Sequence, residues 1–246
     1  MSVQNKGLKS KEESFLKRKK IKMSITVNSF NINNTQNNRP NFSTKAASAA
    51  GSLLGLTASA VCITKARGLK VPASLKTREV VDVFKKIEFN EKDVITMASS
   101  SIAGGLTGGV LTDPQNTKAK TKEGIVQLIG NYVFPSLFVG AGMKLNKTLF
   151  SKYKYPPVTR AIQFAFGTAG FISGVLFGNK ISQLINKYLF KEDSYRKLSW
   201  KDWAVQADNV CLVTSMAAPG TNIAKTASKF IPVAHIIPGY CVGTKF

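Results

Sequence analysis

The chain has one histidine, His235, and three cysteines, Cys62, Cys211 and Cys241, set far apart with no metal-ligand or redox spacing between them. A lone imidazole removes most zinc sites and most histidine-based acid–base schemes. Sparse, odd-numbered cysteines remove a disulfide scaffold. Acidic residues are also few: 13 Asp plus Glu stand against 35 Lys plus Arg, a formal net charge of +22. That balance points to nucleic acid or an anionic membrane surface as a partner. No interleaved aromatics, zinc spacing or recognition-helix pattern accompanies the basic residues, which disfavours nucleic acid. A phosphate loop is missing too, because Gly104 to Gly109 run on into Val110 and Leu111 with no Lys-Ser/Thr. No catalytic residue, metal or cofactor is assigned, and an enzymatic role is disfavoured.

What the sequence does have is segregation of its charges. Hydrophobic residues make up 43% and the mean hydropathy is −0.03, averages that conceal long uncharged windows. These windows are 46–64, 94–112, 124–143 and 161–179, each 19 or 20 residues and closed by charge at both ends. At about 1.5 Å per residue each gives roughly 28–30 Å of helix, the thickness of a hydrocarbon core. The expected fold is all-α: an integral membrane bundle of about four Gly/Ala-rich transmembrane helices over residues 46–199. The second window is the weakest, since ten of its residues are Gly, Ser or Thr, and a Gly/Ser-rich loop is the alternative to a span there. Pro135 near the middle of the third window is tolerated in a membrane helix when neighbours satisfy the freed carbonyl.

Residues 1–45 are expected to be a disordered tail, basic and then Asn-rich, with too little apolar surface to offset the entropy of ordering. Met23 is read as an ordinary internal methionine, Met23-Ser24-Ile25-Thr26 being the alternative start. The first apolar stretch begins at 46, too far along for a secretory signal. Residues 74–92 read as a basic amphipathic helix in the headgroup layer, with Val80, Val81, Val83, Phe84 and Ile87 opposite Arg78, Lys85, Lys86 and Glu88. The fourth helix is expected to run on to about Phe190. Segments in 200–246 are apolar but short, so interfacial, re-entrant or additional spans are the options. Ser199 and Asp202 there outline a capping box that starts a helix near Trp200.

The clearest motif is a set of glycine stripes. Gly170, Gly174 and Gly178 recur every four residues in the fourth window, beside a second small-residue stripe of Ala161, Ala165, Ala169 and Ser173. Gly104 with Gly108, Gly105 with Gly109, and Gly51 with Gly55 repeat the spacing. In lipid, small residues let backbones approach, and that approach drives helix association. Packing within the chain is the plainer reading, and a homo-oligomer or a zipped pore the sharper one. Lys17, Arg18, Lys19, Lys20 and Lys22 are candidates for contact with anionic lipid headgroups. Asp208, next to Asn209, is the one carboxylate in a largely apolar stretch; a surface position is its plainer reading, a functional group in the membrane the sharper one. His235 is read as a hydrogen-bonded packing residue, and Cys211 and Cys241 as buried inert thiols.

The leading functional expectation is a non-enzymatic multi-pass membrane protein, structural or permeability-related, assembled by small-residue helix packing. The alternative is a transporter-like or membrane-embedded catalytic subunit with a polar site near Asp208, Asn209 and His235. The two part on whether the segments in 203–243 fold into the bundle and bring Asp208 inside. Neither the particular membrane nor the orientation follows from charge. The whole-chain Lys/Arg count favours an inside N-terminus by 22 to 13, but charges near the spans reverse it, 10 to 13.

Overall fold

Helix α1, Phe42–Ala66, starts where the Asn41 side chain turns back to accept from Thr44 N at 2.8 Å. Residues 42–45 are therefore helix and not tail: the cap decides the start, not the last charge before the apolar run. Gly68, at a φ of 68°, takes the left-handed conformation that closes the end of α1. Helix α2, Glu91–Thr112, opens on a capping box between Asn90 and Asp93. The Asp93 carboxylate also pairs with Arg67, which ties the end of α1 to the start of α2.

The computed structural model describes residues 39–70, 89–150, 156–191 and 206–246. Every regular element among them is helical. Lys17, Arg18, Lys19, Lys20 and Lys22, the amphipathic stretch up to residue 88, and the Ser199/Asp202 box lie outside the described residues. Within the unit Asn41–Lys245, the third apolar segment is longer than its charge-free window. It runs Pro114–Phe150 as a 3-10 turn (Pro114–Asn116), α3 (Thr117–Gln127), a π-helical stretch (Leu128–Val133) and α4 (Phe134–Phe150). Lys120 and Glu123 near its start do not end it, because each meets an opposite charge. The fully buried Lys120 donates from Nζ to Asp113 O at 2.8 Å and to Asp113 Oδ2 at 2.6 Å. Helix α5 is Pro156–Tyr188, followed by α6 (Ala207–Ala217), α7 (Asn222–Ala234) and α8 (Ile236–Gly243).

Among the described residues, four helices are long and apolar enough to cross a membrane: α1, α2, Pro114–Phe150 and Pro157–Tyr188. Half of the apolar window in Pro114–Phe150 is buried, against 28% in Pro157–Tyr188, so the third segment is the central one. Beside an apolar core (Val94, Met97, Val139 and Leu212 are fully buried), large apolar side chains also face outward and small polar ones inward. Leu54, Leu137, Ile172, Leu176 and Phe177 are exposed, while Ser48, Ser52, Ser101, Ser136 and Asn209 are fully buried. Such an outer surface suits hydrocarbon.

Glycine contacts fix how the helices run. Gly51 lies against Gly104, Gly55 against Ser100 and Gly108 against Ala47, backbone to backbone, so α1 and α2 are antiparallel. The other face of α2 is used at the same time, Gly105 meeting Gly239 and Gly109 meeting Gly243, which sets α8 parallel to α2. On the far side, Gly178 meets Gly130, Gly174 meets Pro135 and Gly170 meets Phe138, so α5 is antiparallel to the third segment. A methyl group at any of these glycines except Gly130, where it would meet the Ser182 hydroxyl, would overlap a neighbouring backbone. All nine glycines of the sequence stripes therefore face other helices of the same chain. The stripe of Ala161, Ala165, Ala169 and Ser173 is exposed.

These contacts define two ends of the bundle. The first end holds the start of α1, the end of α2 and the start of the third segment. The end of α8 joins it through Lys245 Nζ, 3.3 Å from Glu123 Oε2. The second end holds Arg67 and Asp93.

Candidate functional site

Pro135 begins the local geometry of the site. A proline has no N–H to give the carbonyl four residues back. That carbonyl, Asn131 O, instead accepts from Asn209 Nδ2 at 3.3 Å. Asn209 also takes a hydrogen bond from the Ser136 hydroxyl (3.2 Å) and gives one to Gln206 Oε1 (2.7 Å). Fully buried, it pins the start of α6 to the middle of the third segment. Val213, one turn further along α6, sits with Met143 against Gly167 of α5, so α6 runs beside α4 toward the second end. Gly220, at a φ of 78°, turns the chain back, and the Thr221 hydroxyl accepts from Ala224 N at 3.2 Å to cap α7.

Helices α7 and α8 together run Asn222–Gly243 and are broken at His235. Pro238 explains the break, since its ring excludes a continuous helix past the carbonyl of Ala234. Ser101 donates to His235 O at 2.5 Å, and Ser101 lies at the centre of α2. The Tyr132 ring is 5.5 Å from that of His235, and Tyr132 is the central residue of Pro114–Phe150. The break therefore lies midway along both of these long helices.

Asp208 and His235 meet at this level. Asp208 Oδ2 is 3.3 Å from His235 Nε2, and the side chains are 1% and 0% exposed. Asp208 is thus no surface carboxylate, because Asn209 next to it is drawn into the core. His235 Nδ1 lies 2.6 Å from Ile231 O. A carbonyl oxygen only accepts, so Nδ1 carries a hydrogen, and the neutral ring presents a lone pair at Nε2. A bare carboxylate facing that lone pair would set acceptor against acceptor. One further proton, on the carboxyl or on Nε2, would remove that clash. With that proton the site carries no net charge; without it, a buried negative charge remains, which an apolar interior strongly disfavours.

Other polar atoms crowd the same place unsatisfied. Tyr132 Oη and Gln206 Nε2 are buried without a hydrogen-bond partner, as are Asp208 Oδ2 and His235 Nε2 apart from their mutual approach. Among the described residues, His235, Tyr132 from the third segment and Cys211 from α6 lie within electrostatic reach of Asp208. Cys211 is only partly buried and Cys241 is exposed, so neither is the buried inert thiol expected from sequence. Each lies on the outer side of a short helix whose inner side carries the site or its glycines. No cluster of three or more metal-ligating side chains exists among the described residues.

Sequence reading found Asp208, Asn209 and His235 but not Tyr132, Gln206, Ser136 or Ser101. A usable signal was present: Pro135 four residues after Asn131, and Pro232 and Pro238 on either side of His235, mark where backbone groups are freed. Gly239 and Gly243 also repeat the small-residue spacing and were missed. Compared with protein-family models, with curated proteins and with solved structures, the chain matches none.

Proposed function

We propose that this is a transporter-like multi-pass membrane protein that moves protons, alone or with a small polar solute, through the Asp208–His235 pair at half depth. The observation that carries this is the approach of Asp208 Oδ2 to His235 Nε2 at 3.3 Å between two buried side chains. A proton is the ligand that such a pair takes up without needing a cavity. Three features support the reading. The pair sits where a helix of span length is interrupted, the arrangement by which broken helices present polar groups inside membranes. A π-helical stretch borders it, and such stretches concentrate at functional sites. Ionisable groups at membrane depth are costly and are kept for function.

The competing expectation, a purely structural protein assembled through glycine stripes, loses ground because those stripes are occupied within the chain. A bilayer with anionic headgroups is the partner this function requires. Assembly of two copies would use the exposed stripe Ala161, Ala165, Ala169 and Ser173.

The test is proton flux into vesicles containing the purified protein and a trapped pH-sensitive dye, driven by a potassium diffusion potential. Flux above that of empty vesicles, abolished in Asp208→Asn and in His235→Gln, is the expected result. Wild-type flux equal to that of empty vesicles, with and without added small polar solutes, would overturn the reading.

A further inference from the structure

The buried pair is connected to one end of the bundle by a ladder of polar side chains. Gln127 Nε2 donates to Glu123 Oε1 at 2.9 Å, and Asn131 Nδ2 donates to Gln127 Oε1 at 3.1 Å. Asn209 then bonds Asn131 O and reaches Asp208 Oδ1 at 3.5 Å. The four-residue steps of Glu123, Gln127 and Asn131 place them in one row on the third segment. At its outer end Glu123 meets Lys245. The facing side of α5 is polar over the same stretch. Ser182 donates to Val126 O at 3.5 Å, and Asn186, one turn further, is buried with its Oδ1 unpartnered.

The other half of the bundle is different. From the pair toward the second end, the third segment presents Val139 and Met143 before the next buried polar side chain, Asn146. Around them close Val94, Met97, Leu212, Val213 and Ile231, all members of one apolar cluster. Polar side chains thus lead from the pair toward one end of the bundle, and apolar ones toward the other.

We propose that Glu123, Gln127 and Asn131 line the route by which water-borne protons reach Asp208 and His235, from the face where Lys245 lies. This rests on the proton-binding function proposed above. Amide side chains do not hand on protons themselves, so their part is to hold water in file. Glu123 and Lys245 form the polar mouth, and the cluster around Met143 is the closed gate.

Side-specific cysteine labelling tests this in the full-length protein with Cys62, Cys211 and Cys241 replaced by serine. Single variants Gln127→Cys, Asn131→Cys, Val139→Cys and Met143→Cys are treated with a small charged thiosulfonate from each face of the membrane, with Lys245→Cys as the reference for the mouth. The expected result is labelling of 127 and 131 from the Lys245 face only, and none of 139 or 143 from either face. Failure of both 127 and 131 to label while 245 does, or labelling of 143 as fast as 131, would overturn the route. Gln127→Leu, which keeps the volume but removes the polar atoms, gives a second reading: slower proton flux in a protein of wild-type thermal stability. Unchanged flux in that variant counts against the route. The two proposals fail separately. If 127 and 131 label from one face while Asp208→Asn leaves flux untouched, the proton function falls and the water-lined path stands; the converse removes the path alone.

Discussion

Asn209 Nδ2 donates to the carbonyl of Asn131, the backbone acceptor that Pro135 deprives of its helical donor. One imino acid in the third segment thus creates the docking point for α6 and places Asp208 inside the bundle. Without such a partner the freed carbonyl would be a buried unsatisfied group, which costs about 1–3 kcal/mol.

The two residues should therefore be energetically coupled. Asn209→Ala strands Asn131 O, the Ser136 hydroxyl and Gln206 together, and a loss of about 1–3 kcal/mol is expected. Pro135→Ala restores a backbone donor to Asn131 O. In the double variant Asn209→Ala should then cost measurably less, a coupling of about 0.5–3 kcal/mol. Thermal unfolding in detergent, followed by circular dichroism, gives the cycle; additive losses would show that Asn131 O is satisfied without Asn209.

Two glycines on neighbouring segments should respond in opposite ways to the same substitution. At Gly104 a methyl group would overlap the Gly51 backbone, which cannot yield, so Gly104→Ala should cost about 1–3 kcal/mol. At Gly124 the nearest atoms are side-chain methyls, Val242 Cγ1 at 3.3 Å and Ile102 Cγ2 at 3.5 Å. Helix propensity favours alanine there by up to about 1 kcal/mol, so Gly124→Ala should be neutral or stabilising. Equal effects on the thermal midpoint at 104 and 124 would contradict the close approach of α1 and α2.

Asp113 gives a pH signature at the first end of the bundle. The hydrogen bond from Lys120 holds its carboxyl below the usual carboxylate range, partly opposed by burial and helped by Asn116. The folded protein therefore binds that proton less readily than the unfolded chain. Stability from the pair is complete above the unfolded carboxylate value of about 3.9 and is lost as pH falls through the lower folded value. Asp113→Asn should melt below wild type at neutral pH, and the gap between them should close on acidification through that window. A gap that stays constant would mean that the pair makes no contribution linked to protonation.

How far the sequence carried the structure follows from what each signal measures. Charge-free windows located all four long helices, because uncharged runs of span length are what hydrocarbon demands. They misplaced helix ends, because Asn41, Asn90 and the Lys120–Asp113 pair carry helix through or up to charged residues that the windows treated as borders. The spacing of Gly51, Gly104 and Gly174 identified surfaces built for close approach; which helix each one meets is a matter of topology that spacing does not encode. Asp208 was misjudged because its depth is set by Asn131, Ser136 and Pro135, which lie far away in sequence. The neighbourhood of His235 is likewise assembled from the centres of α2 and the third segment and from the start of α6. No local pattern around His235 contains that information.

The central claim is that Asp208 and His235 share one proton inside the bundle, and the single histidine makes it directly measurable. Histidine labelled with nitrogen-15 gives one imidazole in the magnetic resonance spectrum of the protein in lipid, with separate signals for Nδ1 and Nε2. The structure predicts that Nδ1 stays protonated across the titration, held by Ile231 O. Only Nε2 should change with pH, and Asp208→Asn should shift or remove that change. A neutral ring protonated at Nε2 and bare at Nδ1, or a titration that Asp208→Asn leaves unaltered, would contradict the account.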